Sequence, residues 1–440
     1  MLIIGEKMLT IKIHRGSHQI GGSITEIYTE NTHIFIDFGS ELNADPEDST
    51  DGEMIEMIQH AKCDAVLFTH YHGDHIGLMK YIPEYDTEGR LIRLGMGKVA
   101  RQVLINIHDT LAGFGNEGEE HGEYLDILTD RNRMFDVEDG VPVLIGDMTI
   151  TPVLVDHSAY DAYMFIIESG NRAIVHTGDF RTHGRLGKRF FERLEKVLGD
   201  KDIDVLITEG TMMSRLGETV LTEEQLQDRA IEIFKKPENK YAFLVCSSTN
   251  VESLASFANA AMKQGHAFFV NYYVYKQIEL YRESAGLKNY ALRFQKTYKF
   301  EKMDEINLKT GMTQPEFMKK NGFLMLIGST DAYKQRMDYF KDQDPLLIYS
   351  MWSGYVDKSA DTYDEKWGLL YHSWNPERRI DLHTSGHATA EDIRRMILTV
   401  KPKKFILPIH TEKPEMFKRL DIGEYADRLV KLDDSGIVEV

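Results

Sequence analysis

The segment Thr69-His70-Tyr71-His72-Gly73-Asp74-His75 constrains this chain more than any other, because it crowds four side chains of metal-ligating type into six residues directly behind an apolar run, Ala65-Val66-Leu67-Phe68. A strand delivers the residue that follows it to the rim of a rigid sheet, where a coordination site has to be built. His70 and His72 stand two apart in an extended turn, so their imidazoles face the same way. Gly73 lets the backbone turn sharply, and Asp74 and His75 then open a predicted helix over Ile76–Tyr81. Two adjacent pairs of ligands suit two neighbouring cations better than one. The chain has only two cysteines, Cys63 and Cys246, each inside an apolar run, so any metal must be held by His and carboxylate. Those cysteines are expected as buried free thiols in a reducing compartment, which places the protein in the cytoplasm.

The same arrangement recurs along the sequence. Thr149–Val155 ends at Asp156-His157, Ala173-Ile174-Val175 at His176-Thr177-Gly178-Asp179, and Phe405-Ile406-Leu407-Pro408-Ile409 at His410. Each is weak alone. A lone His157 or His410 is more often a satisfied core or surface histidine, and Asp179 in Thr-Gly-Asp a turn or cap residue. They gain weight from the 70–75 cluster, because two metals need about three more protein ligands than it supplies.

A length of 440 residues predicts two or three domains. No apolar run of about 18 residues or more occurs, so no membrane-spanning helix is expected. The first seven residues turn polar too soon for a signal peptide. The formal charge of −18 argues against broad non-specific nucleic-acid binding. Ten Lys and Arg between Lys276 and Lys320 run against that trend, interleaved with acidic residues, and read as a solvated helical surface. The first 40 residues read as a β-meander, and residues 41–60 as a loop followed by a helix. Residues 114–140, with Glu117, Glu119, Glu120, Glu123 and Asp126 among glycines, read as a surface insertion or lid. From about 220 to 380 strands alternate with helices, among them strand Tyr241–Cys246, helix Val251–Lys263, strand Ala267–Tyr273 and strand Leu346–Ser350, which predicts a parallel sheet with helices packed on it.

On these residues the chain resembles the metallo-β-lactamase fold superfamily, whose His-x-His-x-Asp-His signature stands here at 70–75. Asp37, after Ile34-Phe35-Ile36, resembles the Asp of its first motif, which supports the ligand loop from behind. His157 and Asp179 follow in the family's order. The resemblance implies one metal site from His70, His72 and His157, a second from Asp74, His75 and His410, and Asp179 bridging them. Three later segments narrow it to the β-CASP nucleases, and within them to ribonuclease J-like members. Ile207-Thr208-Glu209-Gly210-Thr211 resembles the motif at which these proteins leave the metal domain, His383–Ala388 the motif at which they return, and Leu407–His410 the last one. The implied fold is α/β, an αββα sandwich with an inserted β-CASP domain built as a parallel sheet with flanking helices. The implied boundaries are 1–210, 211–382 and 383–440. Two details depart from ribonuclease J: Gly210-Thr211 after Glu209 is closer to the nuclease subunit of the pre-mRNA cleavage complex, and His410 is followed by Thr411-Glu412.

The expected activity is hydrolysis of RNA phosphodiester bonds, by endonuclease or 5′-exonuclease cleavage, with two zinc ions and a bridging hydroxide. Manganese is the alternative metal, and homo-oligomerisation is open. Asp74, His387 and Glu209 are the expected catalytic residues: His387 contacts the scissile phosphate and protonates the leaving oxygen, and Glu209 orients His387 or His410. His383, Ser385, Gly386 and His387, ahead of a helix, form a candidate phosphate cradle. Thr249 and Asn250, in Ser247-Ser248-Thr249-Asn250, form a second, for which a plain helix N-cap at Thr249 is the alternative. Tyr272, Tyr273 and Tyr275 either stack on bases or alternate along a buried strand. The competing functional reading is a hydrolase of a small-molecule ester, thioester or lactam. It leaves His383–His387 without a task.

Overall fold

The computed structural model of the chain describes residues 8–42, 49–113, 118–286, 290–307, 309–328, 330–360 and 362–440. The chain divides into two compact units. The first comprises Met1–Thr182, Leu186–Thr219 and Gly386–Val440; the second comprises His183–Arg185 and Val220–Ser385.

The first unit opens with strands β1 (Thr10–Arg15), β2 (Ile24–Tyr28) and β3 (His33–Ile36), then helix α1 (Asp51–Gln59), β4 (Ala65–Leu67) and the single turn α2 (Gly73–Ile76). It continues with β5 (Arg93–Gly97), α3 (Lys98–Ala112), α4 (Gly118–Thr129), β6 (Met134–Val137), β7 (Val143–Ile145), β8 (Met148–Val155), β9 (Ala162–Ser169), β10 (Arg172–His176), α5 (Phe190–Leu198) and β11 (Val205–Glu209). The chain then builds the second unit from α6 (Glu223–Phe234), β12 (Tyr241–Cys246), α7 (Val251–Lys263), β13 (Ala267–Val270), α8 (Tyr272–Ala285), β14 (Thr297–Lys299), the short hairpin β15 (Ile306–Asn307) and β16 (Met312–Thr313), α9 (Gln314–Asn321), β17 (Phe323–Leu326), α10 (Asp331–Phe340), β18 (Leu346–Ser350), α11 (Glu365–Ser373) and β19 (Arg379–Asp381). Helix α12 (Ala390–Val400), β20 (Phe405–Ile409) and β21 (Gly436–Glu439) complete the first unit.

Two sheets make the body of the first unit, in the orders β21-β1-β2-β3-β4-β5-β6 and β20-β11-β10-β9-β8-β7. Alternation fixes which residues face inward. Ile34, Ile36 and Leu67 of one sheet pack against Phe165, Ile167, Ile174 and Ile207 of the other in a single apolar layer. The alternate residues of the second sheet, Val153, Val155, Met164, Ile166 and Val175, turn outward onto Phe190, Phe191 and Leu194 of α5 and Ile393, Met396 and Ile397 of α12. Helix α3 packs on the first sheet at β5. This is the expected αββα sandwich. The second unit is the expected parallel sheet: its order is β14-β13-β17-β12-β18-β19 and every neighbouring pair runs parallel. Such a sheet needs cover on both faces. Phe243, Phe269, Met325 and Leu347 on one face meet Met318, Met337 and Phe340 from α9 and α10.

Three local expectations are corrected. The helix expected over Ile76–Tyr81 is the turn α2 ending at Ile76 and a separate turn at Met79–Tyr81. The acidic stretch 114–140, read as a surface insertion or lid, is instead part of the first unit's body: residues 114–117 lie outside the described residues, α4 follows and packs on α3 with Tyr124 and Leu128, four apart, buried, and β6 joins the first sheet. The strand expected to reach Tyr273 stops at Val270, because the Asn271 side chain accepts a hydrogen bond from Val274 N–H at 2.8 Å and caps α8. Tyr272, Tyr273 and Tyr275 therefore lie on a helix. Of the basic residues read as a helical surface, Lys276 and Arg282 lie on α8 and Lys319 and Lys320 on α9, Lys299 ends a strand, and Lys288 is outside the described residues. No described helix is long and apolar enough to cross a membrane.

Candidate metal centre

Strand β4 ends three residues before His70, and His72, in extended conformation, opens α2. The chain leaving β3 and the chain entering β2 clasp this turn: Phe38 N–H donates to His75 C=O at 2.8 Å, and Ser23 N–H to Asp74 C=O at 3.0 Å. The approach is so close that a Cβ on Gly39 would sit 1.7 Å from the Asp74 carbonyl oxygen, so only glycine fits there. Asp37 follows β3 with φ +62°, a left-handed conformation that Asp adopts more readily than most residues. The turn aims its carboxylate at the ligand loop. Oδ1 accepts from Thr69 N–H at 2.7 Å, and Oδ2 lies 2.7 Å from His75 Nδ1. That contact fixes the His75 ring and leaves Nε2 pointing into the site.

His70 Nε2, His72 Nδ1 and His157 Nε2 converge, with His72 3.1 Å from His70 and 3.2 Å from His157. His157 Nδ1 is held 2.7 Å from Gly386 C=O. Beside them His410 Nε2 stands 3.2 Å from His75 Nε2 and 3.1 Å from Asp74 Oδ2. Its Nδ1 lies 2.9 Å from Thr211 Oγ1, and its φ is +51°. Asp179 lies between the groups: Oδ2 is 3.2 Å from His75 Nε2 and 3.9 Å from His70 Nε2, and Oδ1 is 3.9 Å from His410 Nδ1. The ligand atoms of His70, His72 and His157 lie within 4.8 Å of one another, as do those of Asp74, His75 and His410.

This donor set fits divalent-cation binding. Three imidazole nitrogens aimed at one point cannot all be satisfied by one another's protons. Asp179 Oδ1, though buried, has no hydrogen-bond partner among the described residues. Burial drives His72 down to about 4 and holds His70 and His157 well below the usual imidazole range, which keeps their lone pairs available. Burial would raise Asp74 and Asp179, but His75 and His410 hold both carboxyls well down and anionic. His75 is pushed up: burial opposes this, and the carboxylates of Asp179 and Asp37 outweigh it.

His387, at the start of the returning segment, is brought to the same rim. Its Nδ1 lies 3.3 Å from Glu209 Oε2 and 3.5 Å from Asp179 Oδ2. Burial alone would lower its pKa; Glu209 and Asp179 raise it to about 9. Glu209 itself accepts from Phe180 N–H at 2.9 Å. It faces His387, whereas Thr211 holds His410. His387 also shares a cluster of metal-ligating geometry with His157 and Asp179, which the sequence did not suggest. Of the remaining candidates, Gly386 belongs to the first unit and His383, Ser385, Thr249 and Asn250 to the second. His383 Nδ1 is 3.2 Å from Ser350 C=O, Ser385 C=O lies 2.7 Å from His183 Nε2, and it is Asn250, not Thr249, that caps α7.

Sequence reasoning missed one buried pair. Asp156, beside His157, accepts from Arg181 Nε at 2.8 Å and from Leu186 and Gly187 N–H at 2.7 and 2.9 Å. Arg181, two residues after Asp179, is fully buried, and its N–H donates to Asp156 C=O at 2.7 Å. The signal was an arginine two positions beyond a candidate ligand, with an aspartate, Asp156, directly before another.

Residues 50–245 match a family model described as a beta-lactamase superfamily domain, and residues 376–420 match a Zn-dependent metallo-hydrolase RNA specificity domain. Ribonuclease J of Helicobacter pylori is 22% identical over 449 residues, covering 97% of this chain and 60% of the relative. Ribonuclease J of Mycoplasma genitalium is 21% identical over 430 residues, covering 93% and 69%. The chain thus spans about three-fifths of the length of the Helicobacter relative. A crystal structure of a protein of unknown function from Enterococcus faecalis shares the fold, with a TM-score of 0.69 at 20% identity, covering 98% of this chain and all of that one.

Proposed function

This chain belongs to the metallo-β-lactamase superfamily, in its β-CASP, ribonuclease J-like branch, and on that premise we propose that it is a metal-dependent hydrolase that cleaves RNA phosphodiester bonds at the 70–75 cluster. The observation that carries the reading is the convergence of His70, His72, His157, Asp74, His75, His410 and Asp179 in two adjoining groups of ligand atoms. The second unit is read as the β-CASP insertion, and the two buried free thiols fit a reducing cytoplasm.

Two zinc ions held by these residues would lower the pKa of a shared water and offset charge on a non-bridging phosphoryl oxygen; manganese is the alternative. His70, His72 and His157 form one ligand group, and Asp74, His75 and His410 the other, with Asp179 common to both. Asp37 and Thr211 fix the His75 and His410 rings by holding the nitrogen that faces away from the site. His387, steadied between Glu209 and Asp179 and partly open to solvent, gives a proton to the departing oxygen. His383, Ser385 and Gly386, with Thr249 and Asn250, are proposed to hold substrate phosphates.

The test is incubation with 5′-monophosphorylated RNA, 5′-triphosphorylated RNA, single-stranded DNA and a chromogenic β-lactam, with Asp74→Asn as the control. RNA cleavage lost in the control supports the reading, and turnover of the β-lactam alone refutes it. Fragment lengths from the first two substrates separate internal from end cleavage.

A further inference from the structure

We propose that the surface at the start of α8 binds single-stranded RNA, with Tyr272 as a stacking platform and Lys276 and Lys299 against the flanking phosphates. This rests on RNA being the substrate and adds a second place, in the second unit, where the strand is held.

Tyr272 is 61% exposed, although only Asn271 separates it from the buried strand β13. A tyrosine that packs in no core still offers an apolar ring face to a base. Its position is well determined. The residue before it, Asn271, caps α8 through Val274 N–H at 2.8 Å and donates from Nδ2 to the Tyr333 hydroxyl at 2.6 Å. Lys276, four residues on and so on the same helix face, places its ammonium 5.9 Å from the Tyr272 ring centroid. Lys299, at the end of the edge strand β14, places its own at 5.7 Å. Two elements thus bring one cation each to a single open aromatic ring.

A similar pair stands just before β14. Tyr290 is 73% exposed, and the Arg293 guanidinium lies 3.9 Å from its ring centroid. The background charge sharpens the contrast. The whole chain carries −18, yet residues 290–320 hold seven Lys and Arg against four Asp and Glu. Aromatic platforms flanked by cations are what sequence-tolerant single-strand binding requires, because every base has a π face and every nucleotide a phosphate. A duplex keeps its base faces covered. An acidic peptide would engage the lysines and leave the ring without a role.

The experiment measures fluorescence anisotropy of a labelled uridylate RNA of roughly 20 nucleotides, with the full-length protein in chelator so that nothing is cut. Tyr272→Ala is expected to weaken binding about fivefold or more, and Tyr272→Trp to keep it. Lys276→Ala with Lys299→Ala is expected to flatten the salt dependence of log K by about 1.4, two phosphate contacts at about 0.7 each. Hydrolysis of bis(p-nitrophenyl) phosphate, too small to reach beyond one site, is expected to be unchanged in all variants and reports that they are folded. Equal RNA affinity in wild type and Tyr272→Ala overturns the proposal while leaving the nuclease reading intact. So does a polyglutamate competitor that displaces RNA from both equally. Wild type that binds RNA through Tyr272 but never cuts it supports the proposal and removes the nuclease reading. Wild type that binds no RNA overturns both.

Discussion

Asp37 holds Thr69 and His75 at once, so its loss should be felt in metal affinity more than in any other property. Asp37→Ala frees the His75 ring to rotate and is expected to weaken zinc binding about 10- to 100-fold. Titration against a chromophoric chelator measures this, and an unchanged dissociation constant would remove Asp37 from the site. His387→Ala separates two roles that the geometry allows. If His387 acts on the leaving group, the variant keeps the wild-type metal content by elemental analysis and loses phosphodiester cleavage by about 100-fold or more. If it serves as a ligand with His157 and Asp179, metal is lost too. Away from the site, Glu26 lies 2.9 Å from His14 and from His33. Burial would raise its pKa, but the two imidazoles hold it at about 2 against the usual 4.5. Its folded pKa is depressed, so the stabilisation is present above about pH 4.5 and disappears as pH falls towards 2. It amounts to something on the order of 3 kcal/mol. The melting temperatures of wild type and Glu26→Gln should therefore converge across that window; a gap that stays constant down to pH 2.5 would contradict the assignment.

At the scale of single elements, the Asp156–Arg181 pair joins the end of β8 to the loop that follows Asp179, and so sets how far His157 stands from Asp179. Asp156→Ala removes a carboxylate from a fully buried guanidinium and is expected to cost about 3–5 kcal/mol. Arg181→Met leaves Asp156 with the Leu186 and Gly187 N–H groups and should cost less. Melting temperatures that rank the two variants the other way would show that the guanidinium is not what the carboxylate serves. The elements also show where the sequence was readable. The strands that run up to within a few residues of His70, His157, Asp179 and His410 were legible because an apolar β run closing on a ligand-type side chain needs no long-range knowledge. Helix α4 was not: its glutamates and glycines dominate the text, while the two residues that seat it, Tyr124 and Leu128, carry the helical spacing in a single pair. The start of α8 was obscured for the opposite reason. Aromatic residues continue across Asn271 without a break, and one side-chain hydrogen bond decides where the strand stops.

Across the whole molecule, every proposed ligand, with Asp37, Glu209 and His387, belongs to the first unit. Calorimetry of the intact chain, stripped by chelator and then given zinc, should show two transitions, of which only one moves upward. At a thousandfold excess over the dissociation constant the shift corresponds to about 4 kcal/mol. A single transition that rises as a whole would mean that the units unfold as one. The pairwise meeting of residues from 70 to 410 was legible only through resemblance, because no local pattern says which distant strand ends share a rim. The two native thiols have a practical consequence. Cys63 and Cys246 are both buried and unbridged, and burial pushes their thiols up, Cys246 to about 12. At neutral pH neither presents much thiolate to an electrophile. A maleimide dye offered to the native protein would therefore pass both by, and a cysteine introduced at any open position could carry a lone optical reporter without prior removal of the natural ones.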